Sequence, residues 1–215
     1  MQLEALQQRI VNSITTHPLI QAIPRKELEL AQYRTFMKDV YSYAKHSPQI
    51  IALTAVRLFE KSPDLARYCV GHAAEEVGHD KWAASDLRDL GMTDQDIKDV
   101  RPSSPCLRLI GLEYFYAQHL NPMGMIGWMF VLESLGGNVG NSLAASIDEA
   151  LELKGKGTYF LGGHGEADIE HSKDLFEVIA ATVKEPLDVE AFERMALEGE
   201  QLYCSMMDHA FATAA

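Results

Sequence analysis

The chain has 215 residues, of which 47% are hydrophobic and 23% are charged. This length and composition predict one soluble globular domain, residues 1–215, with a sizeable core. The formal net charge of −12 argues against nucleic acid or an anionic membrane as a partner.

The three cysteines, Cys69, Cys106 and Cys204, are isolated from one another and form no CxxC pair. This excludes a thiolate zinc site of the usual spacing. An odd number of cysteines and an N-terminus without a secretion-signal pattern favour a cytoplasmic protein with reduced thiols. The most apolar stretch, residues 123–132, is too short to cross a membrane.

Helical periodicity dominates, and no long alternating β pattern is present. We predict about seven principal helices, with a further short helix over 93–100. Pro48 should kink or interrupt the second helix, and Ser62-Pro63 should open the third, which Gly91 ends. The layout is typical of an all-α bundle with short connections. The principal helices are expected over residues 1–17, 26–61, 62–90, 107–119, 123–153, 163–184 and 189–212.

One histidine-carboxylate pattern occurs twice along the chain. His72, Glu76 and His79 are spaced i, i+4, i+7, and the same spacing relates His164, Asp168 and His171. On a continuous helix these three positions share an arc of roughly 60°. The composition predicts far fewer than one chance occurrence of this pattern. We therefore expect two helices that each direct three metal ligands toward one point.

The ligand types favour iron. Each triplet contains an acid-x-x-His pair, which di-iron carboxylate bundles take from two of their helices. Glu133 follows the apolar run Met-Phe-Val-Leu at 129–132, where an uncompensated charge would be costly to bury. A metal would compensate it. Imidazole and carboxylate ligands without thiolate suit Fe or Mn better than structural Zn.

The expected carboxylate from the second helix is the least defined ligand. Asp39 and His46 are both available there, and each could be a ligand, a neighbour of the site or a surface residue. Gly136, Gly137 and Gly140 follow Glu133 on one helix face. Glycine inside a helix costs about 0.5–1 kcal/mol relative to alanine. Three glycines so close together suggest close approach by another helix or by a ligand.

These motifs resemble the haem-oxygenase-like di-iron oxidase and oxygenase superfamily, also described as iron-containing redox enzymes. The segment Glu75-Glu76-Val77-Gly78-His79 is similar to the second core helix of that superfamily. Glu133 matches the ligand of its third core helix, and His164, Asp168 and His171 match its C-terminal ligand set. The spacing is similar to that of CADD-like members. The resemblance covers residues 25–185, and the glycine-rich segment 133–140 is similar to the distal helix of haem oxygenases.

The resemblance implies a haem-oxygenase-like helical bundle that holds two Fe(II) ions and uses O2 as a co-substrate. Its members oxidise amines, amino acids or fatty acids, so a small-molecule substrate is expected, and a homodimer is plausible by the same likeness. His72 is a departure, because some members have a glutamate at that position. A neutral imidazole there lowers the negative charge around the metals, so the second iron is expected to bind less tightly unless Glu76 compensates.

Three other functions remain open from the sequence. A haem oxygenase is suggested by the glycine-rich helix, but its proximal-histidine context is missing. A metal-free TenA-like hydrolase needs a nucleophilic cysteine, and neither Cys69 nor Cys106 has an evident base. A non-catalytic iron-binding module would use the same ligands without oxidising a substrate.

Overall fold

The computed structural model describes residues 2–213, with the side chains of residues 165–172 outside the description. This part of the chain forms α-helices and one π-helix, with no strand. The helices are α1 Leu3–Thr15, α2 Pro18–Ala22, α3 Leu30–Ala44, α4 Ser47–Leu58, α5 Pro63–Glu75, α6 His79–Asp89, α7 Asp94–Lys98, α8 Ser104–Gln118, α9 Met123–Leu135, the π-helix Gly136–Gly140, α10 Asn141–Leu151, α11 Tyr159–Thr182 and α12 Pro186–Phe211.

The all-α prediction is confirmed, but the number of helices is larger than the seven expected. The predicted helix over 26–61 divides at Lys45 and His46, and Pro48 then lies in the first turn of α4. This division agrees with the expected interruption. The predicted helix over 62–90 also divides, at Gly78, whose φ of +103° lies in the left-handed region. Ser62 precedes α5 as expected, although its side chain makes no capping hydrogen bond.

Helix α9 forms the centre of the bundle, and nearly all of its residues are buried. Helix α12 packs along it at close range. A Cβ at Gly127 would lie 2.1 Å from the carbonyl oxygen of Phe192, and a Cβ at Gly199 would lie 2.5 Å from the Trp128 ring. Glycine at both positions is therefore what permits the two helices to approach so closely.

The start of α11 is fixed by contacts with α3 and α6. Both oxygens of the buried Asp86 carboxylate accept hydrogen bonds from the first two backbone amides of α11, those of Tyr159 at 2.9 Å and Phe160 at 2.7 Å. The Tyr33 hydroxyl donates to the Gly157 carbonyl at 2.9 Å. The Asp86 contacts satisfy amides that a helix end leaves open, and together with the Tyr33 contact they set the position of His164 one turn later.

Among residues 2–213, outside the side chains left undescribed, no helix combines the length and apolarity needed to cross a membrane.

Candidate metal centre

A largely apolar cavity lies inside the bundle, with about 1060 Å³ of empty space including its mouth. Its walls come from most of the helices, with α3, α4, α9 and α12 contributing much of the apolar surface. Among the polar side chains that line it are His72, Glu76, Glu113, Glu133 and His164. Two buried or half-buried histidine-carboxylate groups therefore open onto one apolar space.

The first group consists of Glu76, His79 and His164. One potential ligand atom from each residue lies within 4.8 Å of the other two. Nδ1 of His79 lies 3.1 Å from Oε1 of Glu76, and Nε2 of His164 lies 4.0 Å from the same oxygen. Burial alone would raise the pKa of Glu76, but the hydrogen bond with His79 and the nearby His79, His164 and His72 rings bring the pKa below its usual value.

The His164 ring is oriented by its own helix. Its Nδ1 lies 2.8 Å from the carbonyl oxygen of Phe160, which can only accept, so Nδ1 must donate. In the neutral ring, the lone pair is then on Nε2, the atom that faces Glu76. A backbone carbonyl bound to the second ring nitrogen is the usual way to fix the tautomer of a metal-binding histidine.

Aromatic side chains enclose these imidazoles. The Trp82 ring centroid lies 4.1 Å from that of His79 and 5.5 Å from that of His164, and Phe160 lies 4.2 Å from His164. Gly163 leaves room for Trp82, since a Cβ there would lie 3.0 Å from the indole. The rings keep water away from one side of the group and restrict the rotation of both histidines.

The second group is the buried pair of His72 on α5 and Glu133 on α9. Nε2 of His72 lies 3.3 Å from Oε1 of Glu133, and both side chains are almost fully buried. Tyr68 stacks on the His72 ring at 5.6 Å with an angle of 14° between the planes. The prediction that Glu133 is buried at the end of an apolar run is confirmed.

The division of the helix at Gly78 corrects the expectation that His72, Glu76 and His79 share one continuous helix face. Glu76 caps the C-terminal end of α5 and His79 begins α6, so the chain turns between them. His72 consequently pairs with Glu133, whereas Glu76 and His79 meet His164. The triplet supplies two adjacent groups rather than a single row.

Asp168 and His171, the other members of the second predicted triplet, have side chains outside the described residues. The backbone of α11 is helical from Tyr159 to Thr182. Their assignment as ligands remains a prediction from spacing and resemblance.

The two options for a ligand from the second predicted helix both have other partners. Asp39 accepts hydrogen bonds from the backbone amide and hydroxyl of Ser103, which precedes α8. His46 Nδ1 lies 3.1 Å from the Tyr114 hydroxyl. Neither residue is among those that line the cavity, and the Asp39 contacts instead connect α3 to the start of α8.

The donors of the first group fit a metal ion. Nε2 of a neutral His164 and the Glu76 carboxylate are both acceptors, and they face each other across 4.0 Å. A cation between them would satisfy both. Two histidines and one carboxylate are also the donor set of non-haem Fe(II) oxygenases. The residues present therefore suit a metal ion such as iron by the number and type of their donors.

Comparison with known proteins agrees with this geometry. Residues 34–203 match the sequence profile of a family described as iron-containing redox enzymes. The chain belongs to the iron-containing redox enzyme family. No curated protein sequence matches the chain.

Solved structures place this member of the iron-containing redox enzyme family in the haem-oxygenase-like fold. A domain of unknown function from Shewanella denitrificans is 23% identical with a TM-score of 0.88, over 98% of this chain and 92% of that chain. A TenA homolog from Pseudomonas syringae is 13% identical with a TM-score of 0.82, over 99% and 92%. A CADD-like protein of unknown function from Nostoc punctiforme is 17% identical with a TM-score of 0.71, over 99% and 100%.

One carboxyl group in the cavity was not predicted from the sequence. Glu113 on α8 is 2% exposed, and its carboxyl lines the cavity. Burial raises its pKa to about 8. Helical spacing could have identified it, because it shares a face with the buried residues Cys106, Leu109, Ile110 and Ala117. The three aromatic residues that follow it, Tyr114, Phe115 and Tyr116, made the buried face of this helix difficult to recognise from the sequence.

The glycine-rich segment after Glu133 forms the π-helix Gly136–Gly140, and Gly136 and Gly140 line the cavity. Helix α11 packs against this segment. The expected approach of another helix is therefore present, and two of the glycines also border the open space beside the polar groups. π-Helical turns inserted in α-helices are frequently found at functional sites. Trp128, Met125 and Met129 are buried as expected of core residues, yet they also line the cavity.

Proposed function

We propose that this protein is an O2-dependent, non-haem iron oxidase or oxygenase that acts on a small organic molecule bound in the apolar cavity. The observation that carries the proposal is the convergence of Glu76, His79 and His164 at a wall of that cavity. Membership of an iron-containing redox family supports it.

The two groups suggest two iron ions of unequal affinity. Glu76, His79 and His164 would hold the first Fe(II). His72 and Glu133 would contribute to the second, together with Asp168 and His171 as the sequence spacing indicates. A site with His72 in place of a carboxylate has less negative charge to hold its ion, so we expect the second iron to be lost first.

Iron bound at these residues would supply the activation of O2 that organic side chains cannot provide. The side chains of the protein orient the ligands and enclose the substrate. Phe160 holds the His164 tautomer, and Trp82 packs against His79 and His164. Apolar side chains of α9, among them Met125, Met129 and Leu132, enclose the substrate space and exclude water.

Anaerobic titration with Fe(II), followed by exposure to O2, tests the proposal. We expect one tightly bound equivalent, a second weaker one, and an optical change when O2 is admitted. O2 uptake should then depend on a substrate from a panel of amines, amino acids and fatty acids. The proposal is wrong if iron does not bind stoichiometrically. Iron binding without O2 uptake across the panel would instead indicate a non-catalytic iron-binding module.

The thiol environment distinguishes this proposal from a TenA-like hydrolase. Cys69 and Cys106 are buried, and neither is among the residues that line the cavity. Burial raises the pKa of Cys69 to about 12 and that of Cys106 further still. A thiol held protonated in this way is a poor nucleophile. Hydrolysis of thiamine-related compounds that survives EDTA would nevertheless favour the hydrolase, and a Soret shift on adding hemin would favour a haem oxygenase.

A further inference from the structure

Glu113 is a buried carboxyl that no ligand assignment uses. It lies on α8 among the residues that line the cavity, and its buried Oε1 has no hydrogen-bond partner among the described residues. Nothing other than desolvation accounts for its raised pKa, so no described charge of opposite sign compensates it. A carboxyl left in this state costs free energy unless something binds it.

Arg57, a basic residue that contacts the end of α8, has other partners. Arg57 donates to the backbone carbonyls of Tyr116, Ala117 and Leu120 at the end of that helix. Among the described residues that line the cavity there is no lysine or arginine. The basic side chains among them are His72 and His164, and both lie beside other glutamates. The carboxyl is therefore open to a group that comes from outside the chain.

We propose that Glu113 binds the ammonium group of an amphiphilic amine substrate, whose apolar body occupies the cavity that also contains the histidine-carboxylate groups. The interpretation of this amine site as a substrate site rests on the proposed function. It narrows the expected substrates, which were amines, amino acids or fatty acids, to molecules with a basic nitrogen and an apolar remainder.

The charge of the cavity favours an amine over an acid. Glu76 and Glu133 line the cavity beside Glu113, and no lysine or arginine is among the described lining residues, so a free carboxylate would find neither of these cationic side chains to pair with. A hydroxyl group could satisfy one oxygen of Glu113 but would not supply the positive charge that stabilises its ionised form. An ammonium does both, and the resulting ion pair lies where little water competes with it. The surrounding walls, which include Ile50, Met125 and Trp128, suit an alkyl or aromatic body.

Binding of probe amines to the metal-free protein tests this assignment. Isothermal titration calorimetry would compare n-alkylamines of four to twelve carbons and phenethylamine with alcohols and carboxylates of matched length. We expect the best amine to bind at least about tenfold more tightly than its alcohol, and the carboxylate to bind most weakly. Glu113→Gln should lose roughly tenfold or more for the amine and leave the alcohol unchanged.

Glu200→Gln is the matched control. Glu200 is also a buried glutamate, at 6% exposure, but it lies near Arg9 and is not among the residues that line the cavity. This variant should bind the amines as the wild type does. Circular dichroism of both variants would verify the fold.

Three results would overturn the assignment: no amine binds, the carboxylate binds as tightly as the amine, or Glu113→Gln leaves amine affinity unchanged. Because the protein carries no metal in this experiment, the outcome is separate from that of the iron titration. Amine selectivity without iron binding would retain the Glu113 site and reject the oxidase. Iron binding without amine selectivity would retain the oxidase and reject the Glu113 site.

Discussion

Glu76 and Glu113 lie in the same cavity and are both shielded from water, yet their surroundings drive their pKa values in opposite directions. Burial raises both, but around Glu76 the hydrogen bond with His79 and the rings of His79, His164 and His72 reverse the effect. Around Glu113 no described side chain does so, and its pKa rises to about 8. The histidines, rather than depth, decide which carboxyl is ionised at neutral pH.

This difference indicates that two sides of the cavity have separate roles. The side formed by α5, α6 and α11 presents anionic and imidazole donors already directed at one another, which suits a metal cation. The α8 side presents one carboxyl in an apolar setting, which is neutral at pH 7 until an ammonium group pairs with it, and which suits an organic amine. A cavity with both features can hold a metal and a substrate without either competing for the same side chain.

The largest expected effect comes from removing a donor of the first group. His164→Ala should weaken Fe(II) binding at the tighter site by at least about 100-fold, since loss of an outer partner alone usually costs 10–100-fold. His72→Ala should keep that site and lose only the weaker equivalent. Anaerobic equilibrium dialysis with Fe(II) measures both.

His119→Ala is the control, because His119 is exposed at the end of α8 and should bind iron as the wild type does. If His72→Ala lost the tighter site as well, the separation of the two groups would be wrong.

The second effect is on stability and concerns Glu113. Its folded-state pKa of about 8 lies above the ordinary 4.5, so the folded protein keeps a proton that the unfolded chain releases. Stability should therefore fall as pH rises from about 4.5 through 8, by a few kcal/mol in total, at roughly 1.4 kcal/mol per pKa unit. Glu113→Gln removes that contribution.

Urea unfolding of wild type and Glu113→Gln between pH 5 and 9 measures this difference. The variant should be little different at pH 5 and clearly more stable at pH 8 to 9. Asp86, whose pKa burial raises to about 6, is common to both proteins and does not enter the comparison. A difference that stays constant with pH would mean that the carboxyl is compensated after all.

The sequence allowed the fold class, the positions of most helices and the histidine-carboxylate donors to be predicted, because these depend on local periodicity and spacing. It did not reveal the turn at Gly78, since the i, i+4, i+7 spacing is equally compatible with a continuous helix and with a broken one. Glu113 was missed for a different reason. The role of this carboxyl depends on the residues that face it across the cavity. Those residues belong to other helices, so the sequence of α8 alone does not indicate the role.

The third effect concerns the contact that positions His164. Asp86→Ala would leave the amides of Tyr159 and Phe160 without their acceptor, at a cost of about 1–3 kcal/mol. We expect lower thermal stability and weaker binding at the first iron site, with amine binding at Glu113 less affected. Asp89→Asn is a suitable control, because Asp89 reaches only the Gly157 amide, at 3.3 Å. Equal losses in the two variants would contradict the assignment.

The smallest effect tests the turn that separates Glu76 from His79. Gly78 has a φ of +103°, and a Cβ there would meet nothing within 4 Å, so Gly78→Ala adds backbone strain without a clash. The cost should be about 1–2 kcal/mol. Gly71→Ala is the opposite case, because Gly71 lies within α5 and its Cβ would also meet nothing. That substitution should stabilise the protein by about 0.5–1 kcal/mol.

Measuring the Fe(II) affinity of each variant then shows which iron site the backbone strain affects. Gly78→Ala should weaken the first site, which spans the turn, and leave the His72–Glu133 pair nearly unchanged, whereas Gly71→Ala should alter neither. Urea unfolding and Fe(II) dialysis on the same preparations supply both quantities. If Gly78→Ala were as stable as Gly71→Ala, the left-handed turn would not exist in solution. Glu76 and His79 would then lie with His72 on one continuous helix face.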